Sequence, residues 1–543
     1  MITKVPVDRG SLCALRRGVG RLPARSVVAV IAGLVTAALC TASCASAVNS
    51  HGPGTGQHAS GSASKAGKLA APAQPFPVTE NKKPGTRAWQ ITDQGAPDAI
   101  EGYADHVSVL PGQPFKLYVS TTAASFGVQA YRMGSYQGSG GRLVWSSGSV
   151  PGQSQPAAGF AAGVNMVTAP WRPSLTVQPT AWPPGAYLLK LVASTGQRYV
   201  PITVRSASTV GAVVILQGVT TWQAYNLWGG YDLYSGPSGF ADRSREVSFD
   251  RPYADNGAQW FQSFEQAPIA LAESSGVPLA YETDVDIDQN PSILNGSRAV
   301  ISLGHDEYYS APMRTALLDA RNAGTNIAFL GANAMYRHIR YASSALGADR
   351  IEICYKDAAE DPLYGKDNSE TTQDWRDPPD PRPESVITGV YYECNPVSVP
   401  YVVFDPGNWI FAGTGVRKGT SFPGMVGPEY DRVNPAAPIP RPMEVLAHSP
   451  LTCAGVASYS DSGYYTTPSG AGVFASGTMR WVCAMRGPSC GHGVGVAAED
   501  FVDRATLNLL RVFAAGPAGL THPAHDNLAA VKPVPGFTSE DPS

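Results

Sequence analysis

Between residues 208 and 350 the chain repeats one pattern: a short, continuous apolar run, then a helix-like segment. The runs are GAVVIL (211–216), PLAYET (278–283), AVISL (299–303) and NIAFL (326–330). Strands that are apolar on both faces belong to a parallel sheet covered on both sides, and helices are the usual connections between parallel strands. The segment APMRTALLDARNA shows the helical period. Ser310 is placed to cap it, Met313, Leu317 and Ala320 fall on one face, and Gly324 ends it. Ligands of such sheets sit beyond the carboxyl ends of the strands. Three of these ends carry polar clusters: TTWQAYNLWGGYDLYSG (220–236), GHDEYYS (304–310) and GANAMYR (331–337). Parallel strands bring their ends together, so the three clusters are expected to line one pocket.

The rest of the 543 residues divides around this block. Residues 1–47 read as a secretory signal. Arginines at 9, 16, 17, 21 and 25 precede the run VVAVIAGLVTAALC, and ASA follows at 45–47. Cys44, in TASC, is a candidate for lipidation and the one route to a membrane, since no later apolar run is long enough to span a bilayer. Residues 48–84 are rich in Gly, Ser, Ala, His and Pro and read as a flexible low-complexity linker. From 85 to 206, apolar and polar residues alternate between PG and GG turns, the pattern of an Ig-like β-sandwich. Trp145, Trp171 and Trp182 are read there as packing residues rather than a sugar platform. The α/β domain spans 207–518, with strands such as GAGVFAS (470–476) and a closing helix near 502–514, and 519–543 is a tail.

Charged residues make up only 15% of the chain and the net charge is −3, without basic runs in its body, so no nucleic-acid partner is expected. Five cysteines follow the signal: 354, 394, 453, 483 and 490. An oxidising compartment permits disulfides, and an odd number leaves at least one thiol unpaired. A Cys354–Cys394 bridge around the Pro/Asp-rich loop is the expected pairing. No tight CxxC or HxxxH pair marks a zinc site.

In GHDEYY, His305 and Glu307 lie two apart and face one way in extended chain, with Asp306 facing the other. The pair suits acid–base work or metal binding, and equally a supporting role at the start of the following helix. FLGANAM has the strand–turn–helix form of a nucleophile elbow, but Asn333 stands where Ser or Cys would be. A covalent serine or cysteine hydrolase is therefore not expected. In TDVDIDQN, Asp284, Asp286 and Asp288 alternate, and the segment reads as a solvated strand end rather than a calcium loop.

Taken together and in order, TTWQAYNLWGGYDLY, SFDRPY, LGHDEYYS, FLGANAMYR and VGPEYDRV resemble the C-terminal domain of the N,N-dimethylformamidase large (beta) subunit family, over about 210–515. The resemblance implies a class I glutamine amidotransferase-like fold behind a β-sandwich. It also implies a mononuclear iron held by two tyrosines and a glutamate, with His, Asn and a second Glu nearby. Residue by residue, Tyr225 and Glu307 match the first tyrosine and the carboxylate ligand. Tyr234 is assigned as the second tyrosine, with Tyr253 in reserve. His305, Asn333 and Glu429 match the catalytic neighbours. The amidase's long insertions and small subunit are missing and an export signal is present, so the substrate need not be dimethylformamide. The expectation is an exported, iron-dependent hydrolase of amide C–N bonds, acting on a small-molecule amide or glycan-like substrate, either secreted or anchored as a lipoprotein, with oligomerisation open. The alternative is a non-catalytic cell-surface or carbohydrate-binding protein that keeps the fold.

Overall fold

The computed structural model describes residues 76–531; the expected signal, most of the expected linker and the end of the tail lie outside them. The architecture is mixed α/β, with many strands in several sheets and few helices. Within the stretch read as linker, Phe76–Asn81 is a helix with Glu80 buried. The next region forms two main sheets. One contains Ile100–Ala104, Phe115–Thr121 and Leu175–Val177; the other is built on Ser125–Met133, Gly185–Ala193 and Gly196–Val204. Leu117 and Val119 from the first sheet share one apolar core with Val128, Leu189 and Ile202 from the second. Trp182 is buried and stacks on Tyr187, Trp145 leans on Trp182, and Trp171 packs against Tyr103. All three tryptophans are thus packing residues.

The apolar runs form the expected strands, adjacent to one another from one edge of a seven-stranded sheet. Its order is Leu279–Thr283, Val213–Gln217, Ala299–Gly304, Asn326–Gly331, Gly472–Ala475, Val456–Thr466 and Met443–Cys453. The first five run parallel, Val456–Thr466 runs antiparallel to them, and Met443–Cys453 pairs antiparallel with Val456–Thr466. Alternate residues feed two cores, which is why the runs are apolar throughout. Ile215, Ile301 and Leu330 face the core that holds Phe501, Leu509 and Phe513 of the helix Val496–Ala515. Leu216, Val300 and Phe329 face Met313, Leu317 and Ala320 of the helix Ala311–Asn322. Ser310 caps that helix by accepting from Met313 N at 3.3 Å.

Two expectations are overturned. The disulfides are Cys394–Cys453 and Cys483–Cys490, and Cys354 is a free, buried thiol. Cys354 follows the strand Gly347–Ile353 and packs inward against Tyr308 and Ile339, whereas Cys394 ends the strand Tyr391–Cys394. The Asp run is not a solvated strand end. It forms the helix Asp284–Gln289, capped by Thr283 and Asp286, with both Asp284 and Asp286 buried. Each carboxylate replaces water with specific donors: Asp284 accepts from Thr220 N at 3.0 Å and Val285 N at 2.8 Å, and Asp286 accepts from Thr283 N at 2.9 Å and Ser108 Oγ at 2.5 Å.

Glu282 is different. It is fully buried, and neither carboxylate oxygen has a hydrogen-bond partner among the described residues. Burial, reinforced by Asp286 and opposed by Arg205, raises its pKa from 4.5 to about 9. The folded state therefore holds a proton that the unfolded chain has released. This contribution to stability is complete below pH 4.5 and is lost as pH rises towards about 9. Glu282→Gln keeps the shape without the titration. Unfolding temperature should fall less steeply across that window in the variant than in the parent; equal slopes would contradict the assignment.

Candidate metal and hydrolytic site

The three strand ends do meet. After Val213–Gln217 comes the short helix Val219–Ala224, and Tyr225 sits at its C-cap. The chain loops out and returns at Tyr234, whose N–H donates to Asp232 Oδ1 at 2.8 Å. After Ala299–Gly304 the chain passes through His305, Asp306 and Glu307 into the strand Tyr308–Ser310. Glu307 is fixed from behind by its own N–H, which donates to Thr221 Oγ1 at 2.9 Å. Two glycines make the meeting possible. A Cβ on Gly331 would lie 1.8 Å from Gly304 O, and Gly304 itself has φ +62° with Phe264 where a side chain would go.

At the centre, Tyr225 Oη donates to Glu307 Oε2 at 2.6 Å and Tyr234 Oη donates to Glu307 Oε1 at 2.7 Å. The two phenol oxygens are 3.0 Å apart. Two hydroxyl hydrogens thus face three short oxygen–oxygen contacts, an arrangement that a cation among the oxygens would relieve. Among the described residues no three His, Cys, Asp or Glu side chains form a cation cage, and here two of the three donors are phenols. Burial, reinforced by the Glu307 charge, holds both phenols well above their usual range. A cation taking them as phenolates must displace two protons. Burial works against ionised Glu307, but His305, Lys356 and Arg337 outweigh it and lower its pKa. Phenolate and carboxylate oxygens are hard donors, so this set fits ferric iron.

Around this centre lie the other expected residues. His305 Nε2 is 3.1 Å from Glu307 Oε2 and 3.7 Å from Glu429 Oε2. Burial disfavours the imidazolium, but Glu429 and then Glu307 raise its pKa overall. Glu429 is pushed the other way from Glu307: burial and the Glu307 charge raise its pKa, against His305 and a hydrogen bond from Asn333. Asn333 has φ +57°, a conformation Asn tolerates, and its N–H donates to Asp431 Oδ1 at 2.8 Å. Asn333 Oδ1 and Glu429 Oε2 are both buried without a hydrogen-bond partner among the described residues. Buried polar atoms of this kind are what a polar substrate would satisfy. Asp306 is engaged elsewhere, accepting from Tyr309 Oη at 2.6 Å.

Tyr253, held in reserve as the second tyrosine, packs against Trp222 and does not contact Glu307. Two neighbours escaped the sequence reading. Arg337 Nε lies 3.4 Å from Glu307 Oε1, and Lys356 Nζ sits 3.5 Å from the centre of the Tyr234 ring. Arg337 ends the quoted motif GANAMYR; Lys356 follows the buried Cys354 and carries no local signal.

A family model described as N,N-dimethylformamidase beta subunit-like, C-terminal, matches residues 127–493, more than half of the chain. The chain belongs to this family. The match to the dimethylformamidase-like family opens within the strand Ser125–Met133, well before the first quoted motif, and closes ahead of the helix Val496–Ala515. No curated protein matches the chain.

Proposed function

We propose that this dimethylformamidase-like protein is an exported, metal-dependent hydrolase of amide C–N bonds. The observation that carries the reading is the convergence of the Tyr225, Tyr234 and Glu307 oxygens within 3.0 Å of one another. These three residues would hold a single hard cation, best matched by iron. When bound, such an ion supplies Lewis acidity towards an amide carbonyl. The remaining roles belong to the chain itself. Glu429 Oε2, with its raised pKa, accepts a proton from the attacking water. His305 Nε2, 3.7 Å from it, passes a proton to the departing amine nitrogen. Asn333 Oδ1 orients the substrate or water by accepting its hydrogen. Buried walls exclude bulk water, which strengthens each of these interactions.

Further observations support the wider reading. Two sheets sharing one core fit the β-sandwich, and five parallel strands with polar carboxyl ends fit the glutamine amidotransferase-like domain. Two disulfides fit an extracytoplasmic destination. The test is elemental analysis and visible absorption of the matured, exported chain. The expected result is near-stoichiometric iron and a tyrosinate-to-iron band that Tyr225→Phe and Tyr234→Phe each weaken and that the double variant loses. Metal-free, colourless protein that stays so after incubation with ferric and ferrous salts would overturn the metal reading.

A further inference from the structure

The loop that brings Tyr234 to Glu307 has little regular structure of its own. Between Tyr225 and the strand Glu246–Ser248 it forms two short turns, Trp228–Gly230 and Gly239–Asp242. No sheet ladder fixes such a segment, so its position comes from the groups that bond to it. From within its own part of the chain, the buried Arg251 donates to Asn226 O at 2.9 Å, Trp228 O at 3.1 Å and Tyr231 O at 3.0 Å. The remaining hold comes from the N-terminal two-sheet region. Trp228 Nε1 donates to Glu101 Oε1 at 3.0 Å, and its ring meets the Trp171 ring edge to face at 6.0 Å. A hairpin of that region, Gly159–Ala161 with Met166–Thr168, lies so close that a Cβ on Gly229 would come 2.6 Å from Val167 Cγ1. In the turn of this hairpin, Asn165 O accepts from Ser244 Oγ at 2.7 Å. Ser244 N in turn donates to Asp232 O at 2.8 Å, and Asp232 Oδ1 accepts from Tyr234 N at 2.8 Å. A continuous chain of hydrogen bonds thus runs from the two-sheet region to the second phenol of the site.

This inference rests on the metal reading above. We propose that the two-sheet region is a working part of the metal site, that it clamps the loop so that the Tyr234 hydroxyl stays beside Glu307, and that Trp228 and Ser244 are its positioning residues. Trp228 fixes the outgoing limb of the loop against Glu101 and Trp171. Ser244 fixes the returning limb against Asn165. Both act through the chain on Tyr234. Releasing them leaves Tyr225 and Glu307 in place but lets the second phenol move, which weakens the hold on a cation shared by the three oxygens.

The experiment uses the full exported chain loaded with ferric salt and competes it against nitrilotriacetate, with the tyrosinate-to-iron band as the readout, so no turnover is needed. Trp228→Ala should hold ferric iron about 10–100-fold more weakly, the range for loss of a residue that orients a metal ligand, and its band should weaken towards that of Tyr234→Phe. Trp228→Phe, which keeps a ring against Trp171, should recover most of the affinity. Glu101→Leu combined with Ser244→Ala cuts two of the bonds without removing a ring, and should reproduce the loss if Trp228→Ala does not fold. Trp145→Ala is the control: it removes a ring that packs on Trp182 within the two-sheet region, and should hold iron as the parent does. Parent-like affinity and band in the folded Trp228 or double variant, or an equal loss in Trp145→Ala, overturns the clamp alone. A parent that takes up no iron overturns the metal reading and the clamp with it.

Discussion

Glu307→Gln is expected to strip the protein of bound iron and of amide hydrolysis together. Glu307 accepts a hydrogen bond from each of the two phenols, and it is fully buried. The amide keeps the shape but loses the charge that balances a trivalent ion, and one of its two terminal atoms becomes a donor aimed at a phenol hydroxyl. Loss of an ion that contributes several kcal/mol to the transition state lowers the rate by at least ~10³-fold. Folding should survive, because Arg337, which loses a carboxylate neighbour, still pairs with Asp374. Glu429→Gln supplies the contrast. It should keep iron and colour while kcat falls by about 10²–10⁴-fold, the range for loss of a positioned proton acceptor. Iron by elemental analysis, the visible band and hydrolysis of N,N-dimethylformamide separate the two outcomes. An iron-replete, active Glu307→Gln variant would dismantle the assigned ligand set.

The second large effect concerns stability. Removing one partner of the Arg132–Glu273 pair should cost about 3–5 kcal/mol, because a charge is then left buried without its counterion. Neither side chain is exposed. Arg132, on the strand Ser125–Met133, gives two hydrogen bonds to Glu273 on the helix Gln266–Ser274, one of them at 3.0 Å from Nη1. Glu273 also accepts from Tyr281 Oη at 2.5 Å and Asn81 Nδ2 at 2.7 Å. Burial disfavours the guanidinium, yet the Glu273 charge outweighs it and raises the Arg132 pKa well above its ordinary value. Four segments, from residue 81 to residue 281, are tied at this point. Glu273→Ala should lower the denaturant midpoint sharply. Arg132→Met combined with Glu273→Leu should recover much of the loss, since a well-packed apolar replacement avoids the desolvation cost of both ions. A single variant with an unchanged midpoint would show that the pair carries no such weight.

How much of this was legible depended on whether the signal was local. The parallel strands and the helix after Ser310 were readable because apolar periodicity and a capping residue are local features. The convergence of the polar clusters followed from parallel topology, which fixes where strand ends lie. The Asp run was misread because its helix is only six residues long and its carboxylates are satisfied by distant donors such as Thr220 and Ser108. Disulfide pairing and the pull of Lys356 towards Tyr234 likewise depend on long-range packing, which leaves no mark in neighbouring residues. The choice of Tyr234 over Tyr253 came from the resemblance, and in the fold the Tyr234 hydroxyl is the one within reach of Glu307.

The Gly304–Gly331 contact has a practical consequence for reshaping this protein. At that seam main chain rests directly on main chain, with no atom to trim and no room for one to be added. Saturation libraries at either position should return mostly misassembled clones, and the turns bearing His305 and Asn333 should shift as one piece or not at all. New catalytic repertoires would have to be sought at the margins of the basin, where whole side chains rather than peptide planes form the boundary.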